Sequence, residues 1–266
     1  KLNQSVAELR ILSFFKKKIV WVLHNKMPHS VKHQGFKMYL MSFIAKRSTI
    51  IITHASDGVE LVKKHFPSSA QKIYYLDHPT KNRLDLREEC SKVVYDLLIW
   101  GHISKYKGVF EFVDFIMNNQ LYSFRICILG KFPTKELYLE LKNKVQGNNN
   151  ISIIDHSPSF EELGGYISRS SFVMAPYIPD SILSSGMLMD SLSMGAKVIG
   201  PHVGSFKDYA NENRLRVYTF DKFCDIPILL EKYKSTDVSI KSYTEFLEEN
   251  NWNRFADKLS NIIKNL

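Results

Sequence analysis

Three short stretches of this chain hold residue types that can do chemistry, and each follows a β-rich run. The first is Trp100-Gly101-His102-Ile103-Ser104-Lys105-Tyr106-Lys107-Gly108. A glycine just after a strand lets the backbone come close to a ligand. A lysine near a helix start can meet phosphate beside free backbone N–H groups. The second stretch is Ser184-Ser185-Gly186-Met187-Leu188-Met189-Asp190. Two serines and a glycine at a helix start offer hydroxyl and N–H groups to an anion. Asp190, one turn further on, can accept hydrogen bonds from a pair of sugar hydroxyls. The third is His24-Asn25 with Pro28-His29 close behind. A histidine at the carboxyl end of a strand can act as acid, base or hydrogen-bond donor. His54 ends the next β-rich run in the same way. The plainer readings are a turn with a solvated lysine, an N-cap with a solvated aspartate, and structural histidines.

These residues need a scaffold, and the pattern supplies one. Lys18 to Leu23, Thr49 to Thr53 and Lys72 to Leu76 read as strands. Phe36, Tyr39, Leu40, Phe43 and Ile44 recur at helical spacing between the first two, and a helix over about Asp57 to Phe66 precedes the third. Asp77 to Lys92 is polar, charged and without an apolar period, so it reads as a linker. A second series follows, with strands at Val94–Trp100, Phe124–Leu129, Ile151–Ile154, Ser171–Ala175 and Lys197–Gly200. Helical spacing marks Val109 to Ile116 and Leu137 to Val145, and Ser159-Phe160-Glu161-Glu162 is a capping box. A further helix follows Ser185. Trp252, Phe255, Leu259, Ile262 and Leu266 mark a closing amphipathic helix. Strands alternating with helices predict parallel sheets covered on both faces, with ligands beyond the carboxyl ends of the strands.

Charge and composition narrow the partners. The chain has 266 residues and a formal net charge of +9. Residues 1–92 hold 17 basic and 7 acidic side chains, and the remainder holds 19 and 20. The excess therefore lies in the first third and suits a phosphate-rich partner. Nucleic acid is set aside, because no recognition helix, RNA-binding motif or aromatic platform is evident. No apolar run reaches membrane-span length, and no signal peptide heads the chain. Cys90, Cys127 and Cys224 are widely spaced and form no Cys-x-x-Cys pair, which reads as reduced structural thiols and no metal site.

The order of these motifs resembles that of family 4 (group 1) glycosyltransferases. The resemblance rests on Gly101-His102-Ile103, Lys107-Gly108, Ser185-Gly186, Asp190, Gly195 and Val198-Ile199. Ile19 to Asn25, Ile50 to Ala55 and Met174 to Tyr177 resemble further strands of that family. It implies an α/β protein of GT-B-like architecture, with two Rossmann-like domains. Residues 1–92 would form an acceptor-side domain with its linker, 93–251 the donor domain, and 252–266 a helix crossing back to the first. The family's opening strand and Gly-rich loop are not found, which implies that the first domain is incomplete.

The resemblance also implies roles. Lys107 matches the lysine that contacts the donor diphosphate, and His102 stands where the family has arginine. Gly101 lies in the same loop. Ser184, Ser185, Gly186 and Met187 match the helix start that meets the donor, and Asp190 the carboxylate that holds the ribose. The family's other carboxylate would fall on Ile182, with Asp180 as a substitute two residues out of register. His156 lies in the loop beside the base, and His24 matches the histidine near the transferred sugar. The implied activity is metal-independent, retaining transfer from a UDP- or GDP-sugar to a glycan or lipid-linked acceptor, without a cofactor. The setting would be surface polysaccharide or glycoconjugate synthesis, in the cytoplasm or at the inner face of the membrane. The basic first third would meet an anionic membrane surface. The alternatives are a nucleotide-sugar 2-epimerase of the same fold, or a phosphate-binding module without catalysis.

Overall fold

The computed structural model describes residues 17–26, 34–88, 92–178 and 182–266. They fall into two compact units. The first gathers the described residues up to His78, with 182–184 and 203–205. The second holds the rest, including the stretch from Pro79 that reads as linker in the sequence.

The first unit is built on three strands, β1 (Val20–Leu23), β2 (Ile50–Thr53) and β3 (Ile73–Tyr75). They pair in chain order, all parallel, with Leu23 opposite Thr53 and Thr53 opposite Tyr75. Parallel neighbours need crossovers, and helices α1 (Gln34–Arg47) and α2 (Ser56–His65) supply them. Ile50, Ile51, Ile52 and Thr53 are all buried, as expected of a central strand covered on both faces. Leu23, Ala45, Ile51, Ala55, Val62, Phe66 and Leu183 form the core. The predicted face of α1 is only partly buried. Phe43 is 7% exposed, but Phe36 and Tyr39 are 49% and 60% exposed.

The second unit carries six parallel strands: β4 (Tyr95–Trp100), β5 (Ile126–Leu129), β6 (Ile151–Ile154), β7 (Ser170–Met174), β8 (Val198–Pro201) and β9 (Val217–Phe220). Their spatial order is β6-β5-β4-β7-β8-β9. The chain thus builds outward from β4 on one side, then returns to β7 and builds outward on the other. The order reverses between β4 and β7, and it is beyond the carboxyl ends at such a reversal that doubly wound sheets generally bind their ligands. Connecting helices are α3 (Val109–Asn118), α4 (Lys135–Lys144), α5 (Phe160–Ser168), α6 (Gly186–Ser193) and α7 (Gly204–Ala210). Leu97, Ile99, Phe112, Ile126, Ile128, Phe172, Met174 and Ile199 lie at the centre of the core.

Differences from the sequence reading are concentrated late in the chain. Strand β9 and helices α8 (Ile226–Tyr233) and α9 (Ile240–Glu249) are not among the elements it names. The signals are present: Val217-Tyr218-Thr219-Phe220 is β-branched and aromatic, and Tyr243, Phe246 and Leu247 are buried at helical spacing. The closing helix α10 (Trp252–Lys264) forms as read, capped by Asn251, yet buries no residue fully. The capping box at Ser159 is present in full: Glu162 N–H donates to the Ser159 hydroxyl, and the Glu162 carboxylate accepts from Ser159 N–H.

Candidate functional site

The two loops at the strand-order reversal carry most of the predicted donor residues. The first leaves β4 through Gly101, whose φ of 105° is in the region that favours glycine. It then forms a short 3-10 turn over Lys105–Lys107 and reaches Gly108 at φ 73° before α3 begins. A side chain at Gly108 would strike the Pro176 carbonyl, so the loop after β4 touches the loop after β7 here. Lys107 folds back over the first glycine, and a Cβ at Gly101 would stand 3.9 Å from its ammonium.

Lys107 is half-buried and pairs with no carboxylate among the described residues. Burial alone pushes its pKa below the ordinary lysine value. Its ammonium lies 5.7 Å from the centre of the Tyr177 ring. Tyr177 is buried near the Ser185 hydroxyl, and burial raises its pKa to about 12. Ser185 in turn caps α6, its hydroxyl accepting from Leu188 N–H at 3.3 Å. One continuous line of contacts therefore runs from the cation, through an aromatic ring, to a helix N-terminus. Beside Gly186 there is open space: a Cβ there would meet nothing within 4 Å. Ser104 adds a buried hydroxyl without a hydrogen-bond partner among the described residues.

Asp190 is not the solvated carboxylate of the plain reading. Arg83, from the stretch before β4, donates to Asp190 Oδ1 at 3.2 Å and to the Ser193 hydroxyl at 3.1 Å. The Arg83 guanidinium also lies 3.9 Å from the centre of the Phe160 ring. His156 is close in the chain to this group and bonded to the Glu162 carboxylate at 3.0 Å. Met187 is buried, so its side chain packs and only its backbone belongs to the helix start. His102 is exposed. Asp180 lies outside the described residues, as do Pro28, His29 and Cys90.

The first unit gathers histidines. His24 follows β1 directly, His54 follows β2 directly, and His78 lies three residues beyond β3. His24 Nδ1 is 3.0 Å from the hydroxyl of Ser184, which belongs by its contacts to this unit. His24 is exposed over part of its surface, but desolvation of its buried part, then neighbouring His78, lowers its pKa. His54 is buried and hydrogen-bonded through Nδ1 to the Leu76 carbonyl at 2.7 Å. Burial is the main cause that lowers its pKa to about 4. His24 and His54 are recognisable as candidates from sequence, whereas His78, Arg83 and Tyr177 acquire a place near the candidate residues only in the folded structure. The positions of His78 after a strand and of Tyr177 at the end of the Met174–Tyr177 stretch are the only sequence signals for them; Arg83 carries no motif.

No family profile matches the chain, and no curated protein matches it in sequence. Solved structures do match. HepE from Anabaena, in complex with UDP, superposes with a TM-score of 0.74 at 11% identity, over 98% of this chain and 76% of HepE. HepE is also known in complex with UDP-glucose. A glycosyltransferase from Rickettsia africae superposes at 0.68 with 11% identity, covering 99% of this chain and 80% of its own. The pneumococcal O-GlcNAc transferase GtfA, in complex with UDP and GlcNAc, gives 0.63 at 14% identity over 97% and 54%. At such identities the likeness is one of fold. With one three-stranded and one six-stranded parallel sheet, the chain is an α/β protein of GT-B-like fold, and its partial coverage of the matched chains fits an incomplete domain.

Proposed function

We propose that the chain is a glycosyltransferase that moves a sugar from a nucleotide-sugar donor to a glycan or lipid-linked acceptor. The observation that carries this reading is a half-buried lysine at the strand-order reversal, which pairs with no carboxylate among the described residues and lies against Tyr177, shortly before a helix N-terminus that has open space beside Gly186. In a partly desolvated place a cation and oriented N–H groups stabilise charge far better than water does. Here they would hold the diphosphate as the sugar–phosphate bond breaks and negative charge grows on the leaving oxygen.

The remaining roles are proposed from the resemblance, together with the contacts found around each residue. The N–H groups at Gly186 and Met187 face the leaving phosphates, while the Ser185 hydroxyl is already spent on its cap. Asp190 accepts from the ribose hydroxyls with Arg83 fixing its orientation. Gly101 keeps the loop floor bare of side chain. His102 can donate a hydrogen bond but is not a fixed cation. His156 lies by the base, and His24 and Ser184 serve the transferred sugar or the acceptor. Transfer would be retaining and would need no metal, the donor being a UDP- or GDP-sugar.

Thermal-shift screening with UDP, GDP, ADP and their sugars tests the reading. A ligand at 100 times its Kd raises the unfolding free energy by about 2.7 kcal/mol. The expected outcome is a clear rise in melting temperature with one nucleotide and its sugar. No rise with any of them would remove the reading.

A further inference from the structure

We infer that His54 and His78 are positioning residues for His24, forming the wall that sets its orientation and its proton. The inference rests on the role proposed above for His24.

Topology makes the cluster. The three strands run parallel in chain order, so their carboxyl ends share one edge, and each delivers one imidazole to it. Leu23 stands opposite Thr53, which sets His24 and His54 abreast. Ring centres are 5.3 Å apart for His24 and His54, 4.8 Å for His54 and His78, and 6.1 Å for His24 and His78. Burial is graded: His54 is 3% exposed, His78 half-buried and His24 exposed. Among the described residues, no group of three His, Cys, Asp or Glu is disposed to hold a metal.

Each ring constrains the next. The Leu76 carbonyl can only accept, so His54 Nδ1 carries the hydrogen and the tautomer of the neutral ring is fixed. Its Nε2 then holds a lone pair. His24 is held on another side by the Ser184 hydroxyl. Three imidazoles this close oppose one another's protonation. Of the nearby carboxylates, Asp57 pairs with Lys26 at 2.6 Å and accepts from Gly204 N–H, while Asp77, next to His78 in the chain, accepts from the Tyr75 hydroxyl and keeps its charge. Burial and then the neighbouring His78 both work against a proton on His24, which favours the neutral ring that can hydrogen-bond a sugar or acceptor hydroxyl.

Imidazole NMR titration of the whole chain tests this, with His78→Gln and His54→Asn as variants. Asparagine keeps a donor for Leu76 and removes the titrating ring. Thermal melting at neutral pH checks that both variants fold. The expected result is that the His24 midpoint rises toward 6.5 in His78→Gln. The acid limb of the turnover profile, measured with the activating nucleotide sugar, should move the same way. A His24 midpoint unmoved in both variants overturns the inference, whether or not the chain transfers sugar. So does a moved midpoint with an unmoved acid limb. A moved midpoint with no turnover from any nucleotide sugar supports the positioning and removes the proposed activity.

Discussion

Lys107 is the residue on which the proposed chemistry rests most directly. It pairs with no carboxylate among the described residues and stands over a bare glycine. Removing one preorganised charge-stabilising group costs about 10²–10³ in kcat. Lys107→Ala should therefore lose turnover on that scale while melting as the parent does; an unchanged rate would take it out of the mechanism. His54 makes a second, separate prediction. Its folded pKa of about 4 lies below the ordinary 6.5, so the folded state resists a proton that the unfolded chain accepts. Stability is complete above pH 6.5 and falls as pH drops toward 4, by about 3 kcal/mol over the full span. Urea unfolding between pH 7 and pH 4.5 should show this fall, and His54→Asn should flatten it.

The loop after β4 works only because two glycines turn it. Gly108 combines a positive φ with a close approach to the Pro176 carbonyl. Gly108→Ala adds left-handed strain to a backbone clash, and should cost more than about 2 kcal/mol. Because it separates the loops after β4 and β7, nucleotide affinity should fall with it, as calorimetry would show. Helix α6 depends on its cap. Ser185→Ala removes the partner of Leu188 N–H, and lost caps cost about 1 kcal/mol. Chemical denaturation should register that loss.

For the molecule as a whole, the uneven charge has structural content. Lys17, Lys18, Lys46, Lys63 and Lys64 of the first unit are exposed, and Lys63 shares its charge with Glu60. No helix among the described residues is long and apolar enough to cross a membrane. If this face meets an anionic surface, each lysine close to the lipid is worth about 1 kcal/mol. Flotation should show binding to vesicles with anionic lipid, weakened by salt and by Lys63→Glu with Lys64→Glu. Equal binding to neutral vesicles would refute an electrostatic origin.

Much of this was legible in residue order alone. Alternating β-rich and helical periods fix parallel sheets, because parallel strands need long crossovers and both faces must be buried. Gly101, Lys107, Ser185 and Asp190 stand out because turns, caps and phosphate contacts demand particular residue types at particular strand ends. The reversal between β4 and β7 is different. Only strand pairing decides which loops become neighbours, and so joins Lys107 through Tyr177 to Ser185 across some eighty residues of sequence. The same holds for Arg83 on Asp190, and for His78 beside His24 and His54. No local pattern marks these contacts, since each joins residues distant in the chain. Sequence set the kinds of element and the chemical groups; tertiary packing chose which groups meet and what charge they keep.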